Sequence, residues 1–521
     1  MTWLAKNRRR DSALAVQICE IERIVQLREQ GFNQKAFSSE NSEMQVRNYA
    51  IDLIVNASKY GASDIHIMMR GTHAEVQFEI QSKLYHFVSL FHDEGGAIAR
   101  AIFQGLAQTK AATFEDLAYQ NAQISGTEFP AQYKIVSCRV FRGPAFSLGA
   151  ASGSFMTLRL QYLAGHQKEN ALPPLAYPKR PAGRFDLEGL GYSKAQALKI
   201  ERLMNTPFGA TFFSGPTGSG KTSTLFAILE HLARIYPFAR QVSVEDPTEN
   251  PMPWAVQMVI TNAKNDEEVG IEYANLVRGA LRMAPKILFI GEIRGPVVAL
   301  CAIEAALTGH SLWSTIHATD PFLILDRIEL MDHVRLNRKF FCDPQIVRGL
   351  IAQRLLPRLC PHCKVALAHV WGKGVDEIGS SESKPDLSAN SASVPRLTQL
   401  PQLPQLPYLR EGLVETLRSY PTASQESIYL AKEGGCEHCN FTGSSGRFAI
   451  AEIVVCDELL MADFVNHGTA TARANYRARP DADPPILSQA LSHLFGGQVD
   501  PRDIELLIDT IPAHMTREMC S

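Results

Sequence analysis

Hydrophobic positions along the chain change period more than once, and the changes mark out its parts. A polar, mixed stretch, 1–43, carries a helix expected at 14–28 and a flexible joint at 31–42. From 44 to 57 apolar residues recur at helical spacing, and Gly61 closes the run. Segments alternating apolar and polar follow at 64–69, 74–80, 134–141 and 154–160, the period of half-buried strands, with helical periodicity at 97–108 between them. This mixture predicts an α+β domain over 44–162. A Pro- and Gly-bearing stretch, 163–184, reads as a linker. Beyond it, continuous apolar runs at 210–214, 241–245, 287–290 and 311–316 alternate with helical segments. That predicts a parallel sheet with crossover helices, an α/β core over 185–359.

Composition then shifts. Residues 371–408 are rich in Ser, Pro, Gln and Leu and include QLPQLPQLP at 399–407, which predicts an extended insertion rather than a packed element. It interrupts a small segment, 360–456, that carries paired cysteines. Helical patterning at 486–495 and 501–508 marks a C-terminal helical region, 457–521.

Candidate chemistry begins at the first apolar run of the core. Gly215, Pro216, Thr217, Gly218, Ser219, Gly220, Lys221 and Thr222 fit GxxxxGK[ST] in full, after an apolar strand and before a helical run at 223–233. Glycines let backbone N–H groups curl around a β-phosphate, and the helix N-terminus adds a favourable dipole. Lys221 can reach the β- and γ-phosphates, and the Thr222 hydroxyl can ligate Mg²⁺, so the segment implies ATP bound with Mg²⁺. Two later strands end in carboxylates, Glu245 with Asp246 and Glu292 after Gly291. Strand C-termini of a parallel sheet face the ligand crevice, so both can approach the phosphates and serve the metal or the attacking water. His310 and His317 flank the run 311–316, and the residues alone leave open whether they sense a γ-phosphate.

Cys360, Cys363, Cys436 and Cys439 form two CxxC units separated by 72 residues. Two such turns complete a tetrahedral thiolate shell for Zn²⁺, and each doubling of the loop between them costs only about 0.6 kcal/mol in closure entropy. His362 and His438 can substitute as ligands. Net charge is −2, which gives no general drive toward nucleic acid or anionic lipid. No apolar run reaches membrane-spanning length, and the basic cluster Arg8, Arg9, Arg10 follows a short apolar stretch, the wrong order for a secretory signal. The chain reads as cytoplasmic.

These residues together resemble the secretion ATPase superfamily that drives type II secretion and type IV pili. The match runs through SGPTGSGKTSTL (214–225), SVEDPTE (243–249), LRMAPKILFIGEIR (281–294), TGHSLWSTIHATD (308–320) and GASDIHI (61–67). The resemblance implies a RecA-like P-loop NTPase core, an N-terminal α+β (PAS-like) domain and a small zinc-binding subdomain. It also implies a homo-hexameric ATPase at the inner membrane, attached through a platform protein, with no direct nucleic acid partner. Glu245 is then the catalytic carboxylate, Glu292 serves the Mg²⁺ site, and His310 and His317 form the histidine box. GCEHCNFTGSSGRFAIAE (435–452) is similar to the zinc segment of assembly ATPases, which retraction motors generally lack. The short segment before GASDIHI is similar to the compact ATPases of type IVb and plasmid thin pili.

The chain departs from this pattern at Lys286 and Gly295, where the family usually has Asp, and at Gln77 and Glu79, where it commonly has arginines. The expected arginine toward a neighbour's phosphate therefore moves to Arg139, with Arg142 and Arg159 as fallbacks. A conjugative DNA or effector-transfer motor and an ATP-binding ring subunit with little turnover are the alternative readings.

Overall fold

In this computed structural model the described residues are 42–108, 113–147, 153–260, 265–368, 409 and 411–513. The helix at 14–28, the joint at 31–42 except for Ser42, which opens a helix, and the insertion at 371–408 lie outside them.

The N-terminal domain opens with helix α1 (Ser42–Lys59), then strands β1 (Asp64–Met69), β2 (His73–Ile80) and β3 (Lys83–Phe91). Helix α2 (His92–Arg100) runs on into a π-helical turn, Ala101–Leu106, and β4 (Ala107–Gln108), so the helix expected at 97–108 is found shifted toward the N-terminus. Strands β5 (Gln120–Ser125), β6 (Ile135–Ala145) and β7 (Gly153–Tyr162) complete one antiparallel sheet, ordered β3-β2-β1-β7-β6-β5-β4. β1 is buried along its whole length because both of its faces are covered. Ile65, Ile67 and Met69 pack with Ala50, Leu53 and Ile54 of α1 and Ile98 of α2. Met68, on the opposite face, joins Phe141 and Phe155 in a cluster shared with the second domain.

The second domain begins with α3 (Lys194–Met204), whose Ser193 and Gln196 form a capping box. Its sheet contains β8 (Gly209–Ser214), β9 (Gln241–Glu245), β10 (Val256–Val259), β11 (Ile287–Ile290), β12 (Ser311–Ile316), β13 (Val347–Leu359) and, beyond a two-stranded ribbon of β14 (Val365–Ala366) and β15 (Tyr429–Leu430), β16 (Ser444–Val455). The order is β10-β9-β11-β12-β8-β13-β16, parallel except for β16. Helices α4 (Lys221–Ile235), α5 (Asp266–Ala280) and α6 (Pro296–Leu307) cover it.

Alternation explains the continuous apolar runs. Phe212, Leu288 and Leu312 enter the cluster with α5 and α6, whereas their neighbours Phe213, Phe289 and Trp313 enter the one with α3 and α4. A strand buried on both faces needs apolar residues at every position. The expected segment 360–456 is not one unit. Its last strand, β16, pairs with β13 in the main sheet because both of its faces are apolar: Ala449, Ala451 and Ile453 pack on one side, and Phe448 and Ile450 on the other.

The C-terminal residues form α7 (Glu458–Asn466), α8 (Gly468–Arg477), α9 (Ile486–Phe495) and α10 (Pro501–Leu507). The parallel arrangement brings the C-terminal ends of β8, β9, β11 and β12, at Ser214, Glu245, Ile290 and Ile316, to one edge of the sheet. That edge carries the site.

Candidate nucleotide and metal sites

The loop from Gly215 to Gly220 joins β8 to α4 through three glycines at positive φ, 149°, 80° and 79° at Gly215, Gly218 and Gly220. A Cβ on Gly215 would sit 2.5 Å from the Gln353 carbonyl, so the tight path requires glycine there. Lys221 is buried, and its ammonium donates to the carbonyls of Gly215 at 2.8 Å and Pro216 at 3.0 Å. Burial lowers its pKa, while Glu292 and Glu249 oppose the shift. Ser219 Oγ is buried with no hydrogen-bond partner among the described residues. An ammonium, an unpaired hydroxyl and the N-terminus of a 15-residue helix make a donor set suited to a phosphate chain.

Glu245 ends β9, buried, with Oε1 accepting from Ser243 Oγ at 2.5 Å and Gln257 Nε2 at 3.0 Å. Burial pushes its carboxyl up, and these two hydrogen bonds pull it back. On the adjacent strand, Glu292 follows β11, with His317 Nε2 2.8 Å from its Oε1 and Arg294 Nε donating to Oε2 at 2.7 Å. Lys221, Glu245, Glu292 and His317 therefore converge at the C-terminal ends of the strands, as the sequence implies.

His310 does not join them. It precedes β12 and lies at the far end of that strand from His317, about 20 Å away at ~3.3 Å per residue. Its Nδ1 is 3.1 Å from both the Ala305 carbonyl and Thr308 Oγ1. Arg139 is exposed on β6, in register with Arg159 of β7, and both line a hollow of about 480 Å³ with Arg282. Arg282 precedes β11, so the hollow opens at the N-terminal ends of the core strands, away from this chain's own phosphate loop. Arg142 is excluded as a fallback. It is 1% exposed, donates to Glu115 O at 2.7 Å and Gln120 Oε1 at 2.6 Å, and stacks over Phe114. Arg159 is engaged by Asp64 at 2.9 Å.

Sequence reasoning missed several contributors. Ser243 and Gln257 hold Glu245. Gln353 Nε2 donates to Ser219 O at 2.9 Å, bracing the loop from β13. Its neighbour Arg354 donates to Thr319 O at 2.8 Å, which ties the loop after β12 to the same strand. Asp320 in that loop accepts from Arg477 of α8 at 3.0 Å, and Arg477 also forks onto Glu452 with two bonds of 2.7 Å. The available signal was a polar residue inside an otherwise apolar strand, as at Gln257.

The four cysteines meet as the spacing predicts, all four Sγ atoms lying within 4.8 Å of one another. Cys360–Cys436 and Cys363–Cys439 are 3.8 Å apart and Cys436–Cys439 3.7 Å. A tetrahedron of thiolates at about 2.3 Å from Zn²⁺ has edges of about 3.8 Å, so the shell fits zinc. The N–H groups of Cys436 and Gly443 donate to Cys439 Sγ at 3.1 and 3.2 Å. His362 and His438 stack on each other with ring centroids 4.1 Å apart, and neither belongs to the four-residue cluster.

A family model described as "Type II/IV secretion system protein" matches residues 131–500, more than half of the chain. The chain belongs to that family. It is similar to the Type IV pilus assembly ATPase PilB of Thermus thermophilus, 30% identical over 60% of this chain and 29% of the relative. It is also similar to the Type II secretion system protein HxcR of Pseudomonas aeruginosa, 30% identical over 61% of this chain and 60% of the relative. The matches thus span well under two thirds of those relatives' own lengths. Among solved structures, the ATPase DotB of Legionella pneumophila aligns with a TM-score of 0.37 and 19% identity, covering 92% of this chain and 98% of that one.

In this secretion-family chain a cavity of about 810 Å³ lies between the two domains and is lined by Arg70, Glu75, Gln77, Trp254 and Gln257 among others. The phosphate loop does not line it. No helix among the described residues is long and apolar enough to cross a membrane.

Proposed function

We propose that this chain is an ATP-hydrolysing motor subunit that powers type IV pilus or type II-like secretion assembly. The observation that carries the reading is the convergence of Lys221, Glu245 and the Glu292–His317 pair at one end of the sheet, behind a complete phosphate loop. Its similarity to a pilus assembly ATPase and a type II secretion protein supports the same activity.

In this reading Lys221 exchanges its two loop carbonyls for phosphate oxygens, and the α4 N-terminus with the Ser219 hydroxyl completes the cradle. The Thr222 hydroxyl and the Glu292 carboxylate would hold Mg²⁺, which would supply neutralisation of the charge on the phosphates. Glu245 orients and deprotonates the attacking water. Burial makes it a stronger base than an exposed carboxylate, and its two donors favour the ionised form against that burial. His317 fixes the Glu292 carboxylate, and Arg354 holds the segment that follows that histidine.

The sheet order supports a RecA-like core, and the antiparallel sheet with helices on one face supports a PAS-like N-terminal domain. Zn²⁺ on Cys360, Cys363, Cys436 and Cys439 is a structural ion in this reading, since four thiolates leave no open position. The subunits form a homo-hexamer in the cytoplasm, docked at the inner membrane on a platform protein. Arg139 faces a neighbouring subunit's phosphates, because it lies away from its own loop.

The test is steady-state ATP hydrolysis by the purified chain, with and without DNA. We expect DNA-independent turnover, lost in Glu245→Gln with nucleotide binding retained. Stimulation by DNA would favour a transfer motor, and absence of turnover in an assembled ring would leave only a structural subunit.

A further inference from the structure

The outer edge of the core sheet is covered by the N-terminal domain. β10 is its last strand, and an edge strand presents unpaired backbone groups on alternate residues. The N-terminal domain takes these groups one after another. Arg70 Nη1 donates to the Ala255 carbonyl at 3.0 Å, and the Phe146 N–H donates to the Gln257 carbonyl at 2.8 Å. The Tyr119 hydroxyl donates to the Val259 carbonyl at 2.8 Å and accepts from the Val259 N–H at 3.1 Å. Met68, Phe141, Ala145 and Phe155 add apolar packing in one cluster with Val256 and Met258.

The middle residue of this clamp reaches the opposite way. Gln257 is 2% exposed and pairs in register with Ser243 of β9. Its Nε2 donates to Glu245 Oε1 at 3.0 Å and to the Asn250 carbonyl at 2.9 Å, while its Oε1 accepts from the Met252 N–H at 2.6 Å. The side chain has no spare rotamer without breaking buried hydrogen bonds. Wherever the N-terminal domain sets β10, Gln257 carries that position to Glu245.

We propose that Gln257 is the positioning residue for the Glu245 carboxylate, and that docking of the N-terminal domain on β10 sets it, coupling domain arrangement to hydrolysis. The inference rests on reading Glu245 as the base. Two other ionisable groups face Glu245. Glu249, in the loop after β9, works against its charge, and Tyr273 of α5 packs beside it with its hydroxyl bonded to the Val244 carbonyl. Burial raises the Glu245 pKa and the Gln257 bond lowers it, so removing that donor moves the carboxyl further up.

The experiment measures kcat against pH for wild type, Gln257→Met, Tyr119→Phe and the double variant, with the affinity for a non-hydrolysable ATP analogue measured in parallel. In Gln257→Met the acid limb of the kcat profile should move up by about one pH unit, which is about a tenfold loss on that limb. Analogue affinity should stay unchanged. Tyr119→Phe removes both Val259 bonds without a cavity, and should shift the limb in the same direction by less. In the Gln257→Met background it should add nothing, because its effect passes through Gln257.

If Gln257→Met does not fold, Tyr119→Phe alone decides, and an unshifted limb in that variant overturns the coupling. An unshifted limb in folded Gln257→Met, beside an inactive Glu245→Gln, overturns the positioning role and leaves the base reading standing. Full turnover by Glu245→Gln would instead remove the base reading itself.

Discussion

Replacing Glu79 with glutamine should stabilise the protein at alkaline pH and leave it unchanged in mild acid. Glu79 sits on β2, 5% exposed, with Oε2 lacking a hydrogen-bond partner and His66 Nε2 3.6 Å away. Burial pushes its carboxyl from an ordinary 4.5 up to about 7, with Asp64 adding to the rise and Arg240, Lys286 and Arg159 opposing it. His66 is held neutral by its own burial and by Arg240 and Arg159.

Because the folded state binds the proton more tightly than the unfolded one, the favourable contribution is complete below pH 4.5. It is lost as pH rises through 7. A difference of about 2.5 pH units (7 − 4.5) corresponds to about 3 kcal/mol above pH 7, an upper bound for one carboxylate. Glu79→Gln keeps the shape and removes the charge. Urea titration should therefore show a gain of about 1–3 kcal/mol at pH 8.5 and little change at pH 5. A loss at pH 8.5 would refute the reasoning, for it would mean that the Glu79 charge is paired with Arg240, whose Nε and Nη2 have no hydrogen-bond partner in the structure.

Elemental analysis of the purified protein should find about one zinc per chain, and Cys436→Ser should lose most of it, since a structural shell needs all four thiolates. Full occupancy in that variant would place the ion elsewhere. Mixing Arg139→Ala with Lys221→Ala under subunit exchange should restore part of the ATPase activity that each lacks alone. No recovery in proven mixed rings would remove Arg139 from the shared site. Gly295 stands at the N-cap of α6 with no side-chain cap, so Gly295→Asp should raise thermal stability by a few tenths to about 1 kcal/mol, and a fall would show the cap position is sterically closed.

The parts of this protein that were legible in the sequence are those whose chemistry is contiguous along the chain. Eight consecutive residues define the phosphate loop, and one short turn defines each half of the cysteine shell. Apolar runs located β8, β9, β11 and β12 because burial on both faces leaves an unbroken signal. β3 and β5 escaped notice, since β3 is half exposed and the segment QNAQIS of β5 is mostly polar. The contacts that tune the site were hidden for a different reason. Gln257 meets Glu245 from 12 residues away and Arg354 meets Thr319 from 35, through strand pairing and tertiary packing that no local pattern records. His310 and His317 read as one motif, yet the six-residue strand between them carries them to opposite ends of the sheet.

Among the departures from the family pattern, Lys286 falls at the same end as His310, whereas Gly295 follows Glu292 and Arg294 at the phosphate end. Lys286 immediately precedes β11, and its N–H donates to the Arg240 carbonyl, which places both cations at the N-terminal ends of the strands. Gln77 and Glu79 lie on β2 in the N-terminal domain, and both Arg240 and Lys286 act on Glu79 across the domain boundary. An acidic residue on the strand that commonly carries arginine thus faces a cation where the family usually has aspartate. Lys286 and Arg240 oppose the rise in the Glu79 pKa, but burial outweighs them. Gly295 touches only a helix cap. None of these changes reaches Lys221, Glu245, Glu292 or His317. Lys286 and Glu79 thus lie where the N-terminal domain meets the core. Since Gln257 lies on the edge strand β10 and Glu245 one strand in, changes in docking can retune hydrolysis without replacing any group that touches nucleotide.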